Sequence, residues 1–451
     1  MKLLFTQDAL INAGTERSNL ELISRLSKEI KVSLVYFYPR HELKEEYKRA
    51  GVRLFFLDIP EKYNLIKGVW KLIRLIKKEK PDLMVSSLWR ADIMTRVACW
   101  LTRTPLIGTL VNDSYSPIAW TDKKGFKYRL VYWLDRWTAG IPKFWISNAE
   151  ALADSHVKTL GIDRDKISVV YRGRKVPELN QYNNLGSGEN LGRRDKGEGN
   201  REKGKGNGEE GIVRRDAKEN VLVSDCKVET GVIRNFISYG RLLERKGFQE
   251  AIQAFLQVLK KYPDCTLTIF GEGPFRNNLE SLIQELGVQE SVFLPGKIQN
   301  PMDTLLKGYY FQTSPNRQIL TTGFDSLPTG QAGAQPDNCQ LLTADCFVFP
   351  SWYEGFSGAL VEAMMAGVPI IASDIPMNLE AVTDKKSALV FPVKNVHALV
   401  GKMLYAIENP DLMVELGNEA RSQAIQRFDI EKIAKQYEQT LLKFAEQLNG
   451  K

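Results

Sequence analysis

Two series of short apolar runs, each alternating with amphipathic helical segments, are separated in this 451-residue chain by a stretch almost free of apolar residues. That pattern restricts the fold more than any other feature. In the first series, Lys2 to Thr6, Val32 to Tyr36, Val52 to Leu57, Pro81 to Ser86, Leu106 to Val111, Phe144 to Ser147 and Lys166 to Gly173 read as strands. Leu20, Ile23, Leu26 and Ile30 mark one face of an intervening helix, and another helix is expected from about Ile66 to Lys78. The second series starts at Phe236 and places strands at Ile237 to Tyr239, Thr266 to Phe270, Val292 to Leu294, Cys346 to Phe349, Ile370 to Ala372 and Leu389 to Phe391. Continuous rather than alternating apolar runs are what a parallel strand covered on both faces requires. Strands that alternate with helices build doubly wound sheets. The fold class expected is therefore α/β with two Rossmann-like domains, residues 1–177 and 236–425, followed by a terminal segment 426–451. A chain of this length with 43% hydrophobic residues suffices for two such cores.

Between the series, residues 178–235 are rich in Gly and in charges of both signs, cannot repay their ordering entropy, and are expected to form a disordered linker. A second irregularity, Leu306 to Ala344, accumulates Asn, Gln, Thr, Gly and Pro. The net charge of +8 is unevenly placed: residues 1–177 hold 18 Lys and 14 Arg against 19 Asp and Glu, a net +13. Such asymmetry points to a polyanionic partner, membrane or nucleic acid. The five cysteines are scattered without metal-ligand spacing and read as buried thiols. No run approaches 18 apolar residues, and the start lacks the long apolar region of a signal peptide, so a cytosolic chain is expected.

Chemistry concentrates in Asp345-Cys-Phe-Val-Phe-Pro-Ser351 and the residues that follow, Trp-Tyr-Glu354-Gly-Phe-Ser-Gly-Ala-Leu-Val-Glu362. Glu354 falls just beyond the carboxyl end of a strand, where open α/β sheets bind ligands. A helix expected from Gly358 would hold Glu362 in its first turn. Two solvated glutamates beside a helix start would have the same spacing. The flanking strand, Pro-Ser, Glu-Gly-Phe and Ala366-Gly-Val-Pro369 together resemble the E-x7-E signature of glycosyltransferase family 4 (group 1), retaining enzymes of the two-Rossmann GT-B type. The resemblance implies a nucleotide-diphosphate sugar as donor. It also implies that Glu354 contacts the donor sugar and Glu362 the ribose, with Gly355, Phe356 and Ser357 at the donor site. It implies an acceptor-binding first domain, a donor-binding second domain, and a terminal helix crossing back onto the first. In that family the helix ending near Leu306 leads almost directly into the Phe-Val-Phe-Pro-Ser strand, so 307–343 reads as an inserted loop without structure.

A departing diphosphate needs fixed positive charge and backbone donors. Strand Phe236 to Gly240 runs into Arg241-Leu-Leu-Glu-Arg-Lys246-Gly247. Gly240 permits close backbone approach, Arg241 can fork onto two phosphate oxygens, and Lys246 adds a compact charge. This matches the family's Gly-Arg-Leu…Lys-Gly motif, whose Arg and Lys hold the diphosphate. Gly14, at a helix start after the first strand, can offer free amides to a phosphate. The family has two adjacent glycines there, and this chain has Ala13 in the first place. Gly296-Lys297-Ile298 matches the stretch that holds the base through its backbone, so Lys297 and Ile298 are donor candidates.

One departure concerns histidine. Where many relatives place a His after the strand at Leu106 to Val111, this chain has Asn112, which cannot carry a proton. A front-face retaining mechanism, in which the leaving phosphate takes the acceptor's proton, needs no such base. Asp163-Arg-Asp165 lies in a turn rather than after an apolar strand, so no catalytic metal is expected, nor any cofactor beyond the donor.

A membrane reading comes from Tyr63 to Lys78, where Leu65, Val69, Leu72, Ile73 and Ile76 share a face flanked by Lys67, Lys71, Arg74 and Lys78; a packed surface helix would look the same. The aromatic and basic stretch Trp120 to Trp145 adds to it. The reading is thus a cytosolic enzyme, or one held peripherally at the inner membrane face, that moves a sugar onto a glycan or lipid-linked acceptor in cell-surface polysaccharide or glycolipid synthesis. An anionic membrane surface, and not nucleic acid, is its expected larger partner. Its rivals are a catalytically silent sugar-nucleotide-binding scaffold and a GT-B epimerase or sugar-phosphate synthase.

Overall fold

The computed structural model describes residues 1–60, 64–121, 125–178, 232–298, 300–312, 319–321 and 339–449. Apart from its ends, the linker expected to be disordered lies outside these residues. Both series of strands belong to one compact unit, Met1–Pro177 with Val232–Lys451.

The first series forms a seven-stranded parallel sheet: β1 Lys2–Gln7, β2 Lys31–Tyr36, β3 Arg53–Phe56, β4 Leu83–Ser86, β5 Leu106–Leu110, β6 Phe144–Ser147 and β7 Ile167–Val169, in the order β3-β2-β1-β4-β5-β6-β7. The second series supplies β8 Asn235–Tyr239, β9 Thr266–Phe270 and β10 Val292–Phe293. Three short strands follow, β11 Tyr309–Gln312, β12 Ile319–Thr321 and β13 Cys339–Leu342. The main sheet then resumes with β14 Cys346–Phe349, β15 Ile370–Ser373 and β16 Leu389–Phe391, giving the parallel order β10-β9-β8-β14-β15-β16. In each sheet the winding reverses direction once, between β1 and β4 and between β8 and β14. Open α/β sheets bind their ligands outside the strand ends at such reversals.

The strands at the middle of the second sheet are buried, with Phe236, Ile237, Cys346, Phe347 and Val348 at zero exposure. Asp345 fixes where β14 begins. Its Oδ2 accepts from the backbone N–H groups of Arg234 and Asn235, at 2.9 and 2.8 Å, and so ties β14 to β8 at their amino ends.

Two expectations need correction. Residues 307–343 are not a loop without structure: where described, β11, β12 and β13 pair as a separate antiparallel sheet in the order β12-β11-β13. The helix Leu65–Glu79 does not turn its apolar face outward either. Leu72, Ile73 and Ile76 are buried in the first domain's core, with Leu65 and Val69 packed against that core. What it exposes is Ile66 and Trp70 among the lysines.

The two domains meet over a continuous apolar contact. Leu152, Ala153 and Tyr171 from the first pack with Phe356, Leu360 and Phe428 from the second. The helix Glu150–Leu160 receives the Glu380 carboxylate at its amino end, through the N–H of Glu150 at 2.8 Å and that of Ala151, where the helix dipole favours an anion. The last helix, Ile430–Asn449, lies on the first domain: Ile433, Tyr437, Leu441 and Phe444 join the core that contains Leu3 and Phe5, and Phe444 stacks on Phe144 at 4.1 Å.

Candidate active site

The carboxyl ends of β8 and β14 are neighbours, and this brings Lys246 of one loop to the Glu354 carboxylate of the other. Lys246 ends a single 3-10 turn, Glu244–Lys246, and Gly247 follows it in the left-handed region at φ +70°. A side chain at Gly247 would run into the carbonyl oxygen of Pro350, so the glycine is what lets this loop lie against the β14 loop. Lys246 Nζ forms an ion pair with Glu354 Oε1, and Ser351 Oγ donates to the same oxygen at 2.8 Å. Glu354 Oε2 has no hydrogen-bond partner among the described residues. Arg241 is exposed at the end of β8 and makes no ion pair among them. A Cβ at Gly240 would stand 3.6 Å from the Phe248 ring and 3.8 Å from Lys246 Nζ.

The helix that carries Glu362 starts at Gly358, as expected, and ends at Ala366. Glu362 is its fifth residue, so it stands in the second turn rather than the first. It is also committed: Arg174 Nε donates to Oε1 at 2.5 Å and Tyr239 OH to Oε2 at 2.8 Å. Burial, and then the Glu362 charge, push the Tyr239 hydroxyl well above its ordinary pKa, so it remains a donor. Phe356 is 1% exposed and packs at a tilt against Tyr171 and Phe428, so its ring belongs to the interdomain core, while its backbone N–H donates to Asn148 Oδ1 at 3.3 Å. Gly355 presses on the first domain, where an added Cβ would lie 2.0 Å from the carbonyl oxygen of Val111. Ser357 precedes the helix without capping it. Lys297 is exposed and Ile298 packs on the core, both beyond β10.

From the first domain, Gly14 opens the helix Gly14–Ile23, whose amino end receives no side-chain cap. Asn112 is exposed after β5, and Asp163 accepts from Asp165 N–H in a short exposed turn.

Two residues that the sequence reading passed over complete the site. Arg172 reaches the Gly14 loop, with Nη2 donating to Thr15 Oγ1 at 3.1 Å and Nη1 standing 3.6 Å from where a Gly14 Cβ would be. Burial and the neighbouring Arg174 lower its pKa to about 10, while Glu354 across the domain contact acts in the opposite sense; it stays charged at neutral pH. Arg174 lies between domains, bonded to Glu362 and 3.5 Å from Glu21. Burial works against its charge, but Glu362 and Glu21 outweigh burial and hold it above its ordinary value. A Cβ on Gly358 would collide with its guanidinium, so the bare glycine makes room for it.

Behind the Gly14 loop, burial pushes the Glu16 carboxyl up to about 7 from 4.5. Because the folded chain holds this proton more tightly than the unfolded one, the stability it contributes is complete below pH 4.5 and is lost as pH rises through about 7. Glu16→Gln is expected to unfold like the parent at pH 4.5 and later than the parent at pH 8. Equal urea midpoints at both pH values would refute the assignment.

Family models match the chain on both sides of residues 178–231. Residues 12–176 match the family model for Glycosyltransferase Family 4, and residues 234–309 and 331–423 that for Glycosyl transferases group 1. The chain belongs to the group 1 glycosyltransferases and has their two-domain α/β GT-B fold. Among its relatives, an uncharacterised glycosyltransferase of Methanocaldococcus jannaschii is 23% identical over 69% of this chain. The match spans 60% of that relative's length, and 52% of a second uncharacterised glycosyltransferase from Haemophilus influenzae. The UDP-Gal:alpha-D-GlcNAc-diphosphoundecaprenol alpha-1,3-galactosyltransferase of Escherichia coli is 23% identical over 86% of this chain and 83% of its own length. In fold, the chain is similar to Anabaena HepE in complex with UDP and glucose, with a TM-score of 0.68, 17% identity, and coverage of 98% of this chain and 99% of that one.

Proposed function

We propose that this chain is a retaining, metal-independent glycosyltransferase that moves a sugar from a nucleotide-diphosphate sugar to a glycan or lipid-linked acceptor, in the cytosol or at the inner membrane face, with no cofactor besides the donor. The observation that carries the reading is the Lys246–Glu354–Ser351 cluster beyond β14, with Arg241 uncommitted at the end of β8. Charge develops on the diphosphate as the glycosidic bond breaks, and cations fixed in advance stabilise it without reorganising. Arg241 and Lys246 take that part from the second domain, with the amides at Gly14 from the first. Glu354 orients the donor sugar through hydrogen bonds. The acceptor's proton passes to the leaving phosphate on the same face, so Asn112 need only position a hydroxyl. Gly240, Gly355, Ser357, Lys297 and Ile298 would approach the donor chiefly through their backbone. Support for a nucleotide donor comes from HepE, whose complexes are with UDP and UDP-glucose, and for a lipid-linked acceptor from the Escherichia coli relative's own name.

One observation favours the silent scaffold instead. Glu362, assigned to the ribose, is already held by Arg174 and Tyr239, so a donor must displace one of them or bind beside them. Thermal shift across UDP-, GDP- and ADP-sugars, followed by product analysis with membrane extracts, separates the two. A nucleotide sugar should raise the melting temperature by a few degrees and be turned over. Stabilisation without turnover would assign the scaffold, and no stabilisation by any of them would sink both.

A further inference from the structure

The helix Phe126–Thr138 is oriented against the usual rule for a surface helix. Its inward side is polar: Asp135 is buried and accepts from Arg96 Nη1 of the neighbouring helix Trp89–Thr102 at 2.5 Å and from Tyr115 OH at 2.6 Å, and Thr138 accepts from the same Arg96 nitrogen at 3.1 Å. Opposite them, Phe126, Leu130, Trp133 and Trp137 follow one another at intervals of four, three and four residues. At about 100° per residue the four lie within roughly 60° of one line. They are 80%, 57%, 46% and 74% exposed. The stripe is flanked by Arg129 and Arg136, both exposed, and buried Asp135 is the helix's one acidic residue.

The surroundings extend the same chemistry. The helix Trp89–Thr102, joined to this one through Arg96, ends in exposed Trp100 and Leu101 and is followed by Arg103. Its other neighbour, Leu65–Glu79, packs so closely that a Cβ on Gly68 would overlap Met94 Sδ, and it presents Ile66 and Trp70 among Lys67, Arg74, Lys77 and Lys78. Ten of the fourteen large apolar side chains exposed among the described residues lie between Phe56 and Trp137.

We infer that the outward stripe Phe126-Leu130-Trp133-Trp137 is a docking surface for an anionic lipid bilayer. Aromatic side chains with basic flanks insert at the headgroup boundary, while the arginines and lysines gain from anionic lipid. The charge decides against a second copy of the chain, because two such faces would bring Arg129 and Arg136 against their own counterparts. The surface also connects to the cleft: Tyr115, which bonds to Asp135 inside the helix, lies on the loop after β5 whose first residues abut Gly355. An acceptor held in the bilayer is thereby presented near the donor loop. The inference stands apart from the donor chemistry, since it uses none of the cleft residues.

The test is co-sedimentation of the full chain with vesicles of phosphatidylcholine alone, or of phosphatidylcholine with roughly one third phosphatidylglycerol. Partition into the anionic vesicles and not the neutral ones is expected. The double variant Trp133→Ser/Trp137→Ser should lose at least about ten-fold in partition, and Arg129→Gln about five-fold, with melting temperatures unchanged. A blue shift of tryptophan emission on mixing should accompany binding and vanish in the double variant. Failure of the parent chain to sediment with anionic vesicles would overturn the proposal. So would undiminished sedimentation of the double variant, or a dimer seen by light scattering that the double variant abolishes.

Discussion

Replacing Lys246 with Ala is expected to lower glycosyl transfer by about 10²–10³-fold, the usual loss when one preorganised donor to a developing anion is removed. The ion pair with Glu354 makes this prediction sharper than a simple charge deletion, because Glu354 is left in a mostly enclosed site with Ser351 as its one hydrogen-bond partner among the described residues. Lys246→Ala should therefore destabilise the second domain as well. Glu354→Gln removes the opposite charge and should cost turnover too, while the double variant should recover stability and not activity, since groups acting as a unit lose their effect together. The measurements are urea midpoints and initial rates with whichever nucleotide sugar stabilises the chain. Turnover within a factor of about three of the parent in both single variants, well under the loss expected of an oxyanion donor, would remove these residues from the reaction.

The largest stability effect is expected at Arg174. Arg174→Ala leaves Glu362 and Glu21 as partly buried carboxylates with their shared cation gone, and breaking such a pair from one side costs about 3–5 kcal/mol. Burial already raises the Glu21 carboxyl, with Glu362 adding to it. The deficit of the variant should therefore be greatest at neutral pH and shrink in acid, where the Glu21 carboxyl takes up a proton. Arg174→Met keeps much of the volume but not the charge, and should show the same pH dependence. A deficit under about 1 kcal/mol at pH 7, the range of an exposed pair, would mean that the pair is of the weak surface kind.

The sheets were legible in the sequence because a parallel strand buried on both faces must be apolar along its whole length, as Phe347 to Phe349 and Ile370 to Ala372 are. The second-domain site was legible for a related reason: Arg241 and Lys246 follow one strand directly and Glu354 follows another, so chain order nearly gives spatial order. Arg172 and Arg174 were not. Arg172 falls inside the run read as the strand Lys166 to Gly173 and Arg174 just after it, and what gives them meaning lies far away in sequence: Glu362, 188 residues from Arg174, and the Gly14 loop, 157 residues from Arg172. Amphipathicity misled for another reason. A period of 3.6 shows that a helix has two faces and not which of them the protein covers. In Leu65–Glu79 the apolar face went to the core, whereas in Phe126–Thr138 a buried Arg96–Asp135 pair claimed the inner side and left the aromatics outside. The small sheet β11–β13 went unread because its strands are short and surrounded by turn-forming residues.

At the edge where the domains join, two passes of the chain run side by side. Arg174 N–H donates to Phe428 O at 2.8 Å and Ile430 N–H to Arg174 O at 3.0 Å, and Gly173 lies so near Ile430 that a Cβ would come within 2.7 Å of its Cα. The two segments form a single isolated β-bridge, Arg174 with Asp429, and segments held that closely cannot slide apart but can twist. Any opening of the cleft to admit a donor or release a nucleotide is thus expected to be a door-like swing about Arg174 and Asp429, with the guanidinium of Arg174 serving as the catch that must let go of Glu362 first.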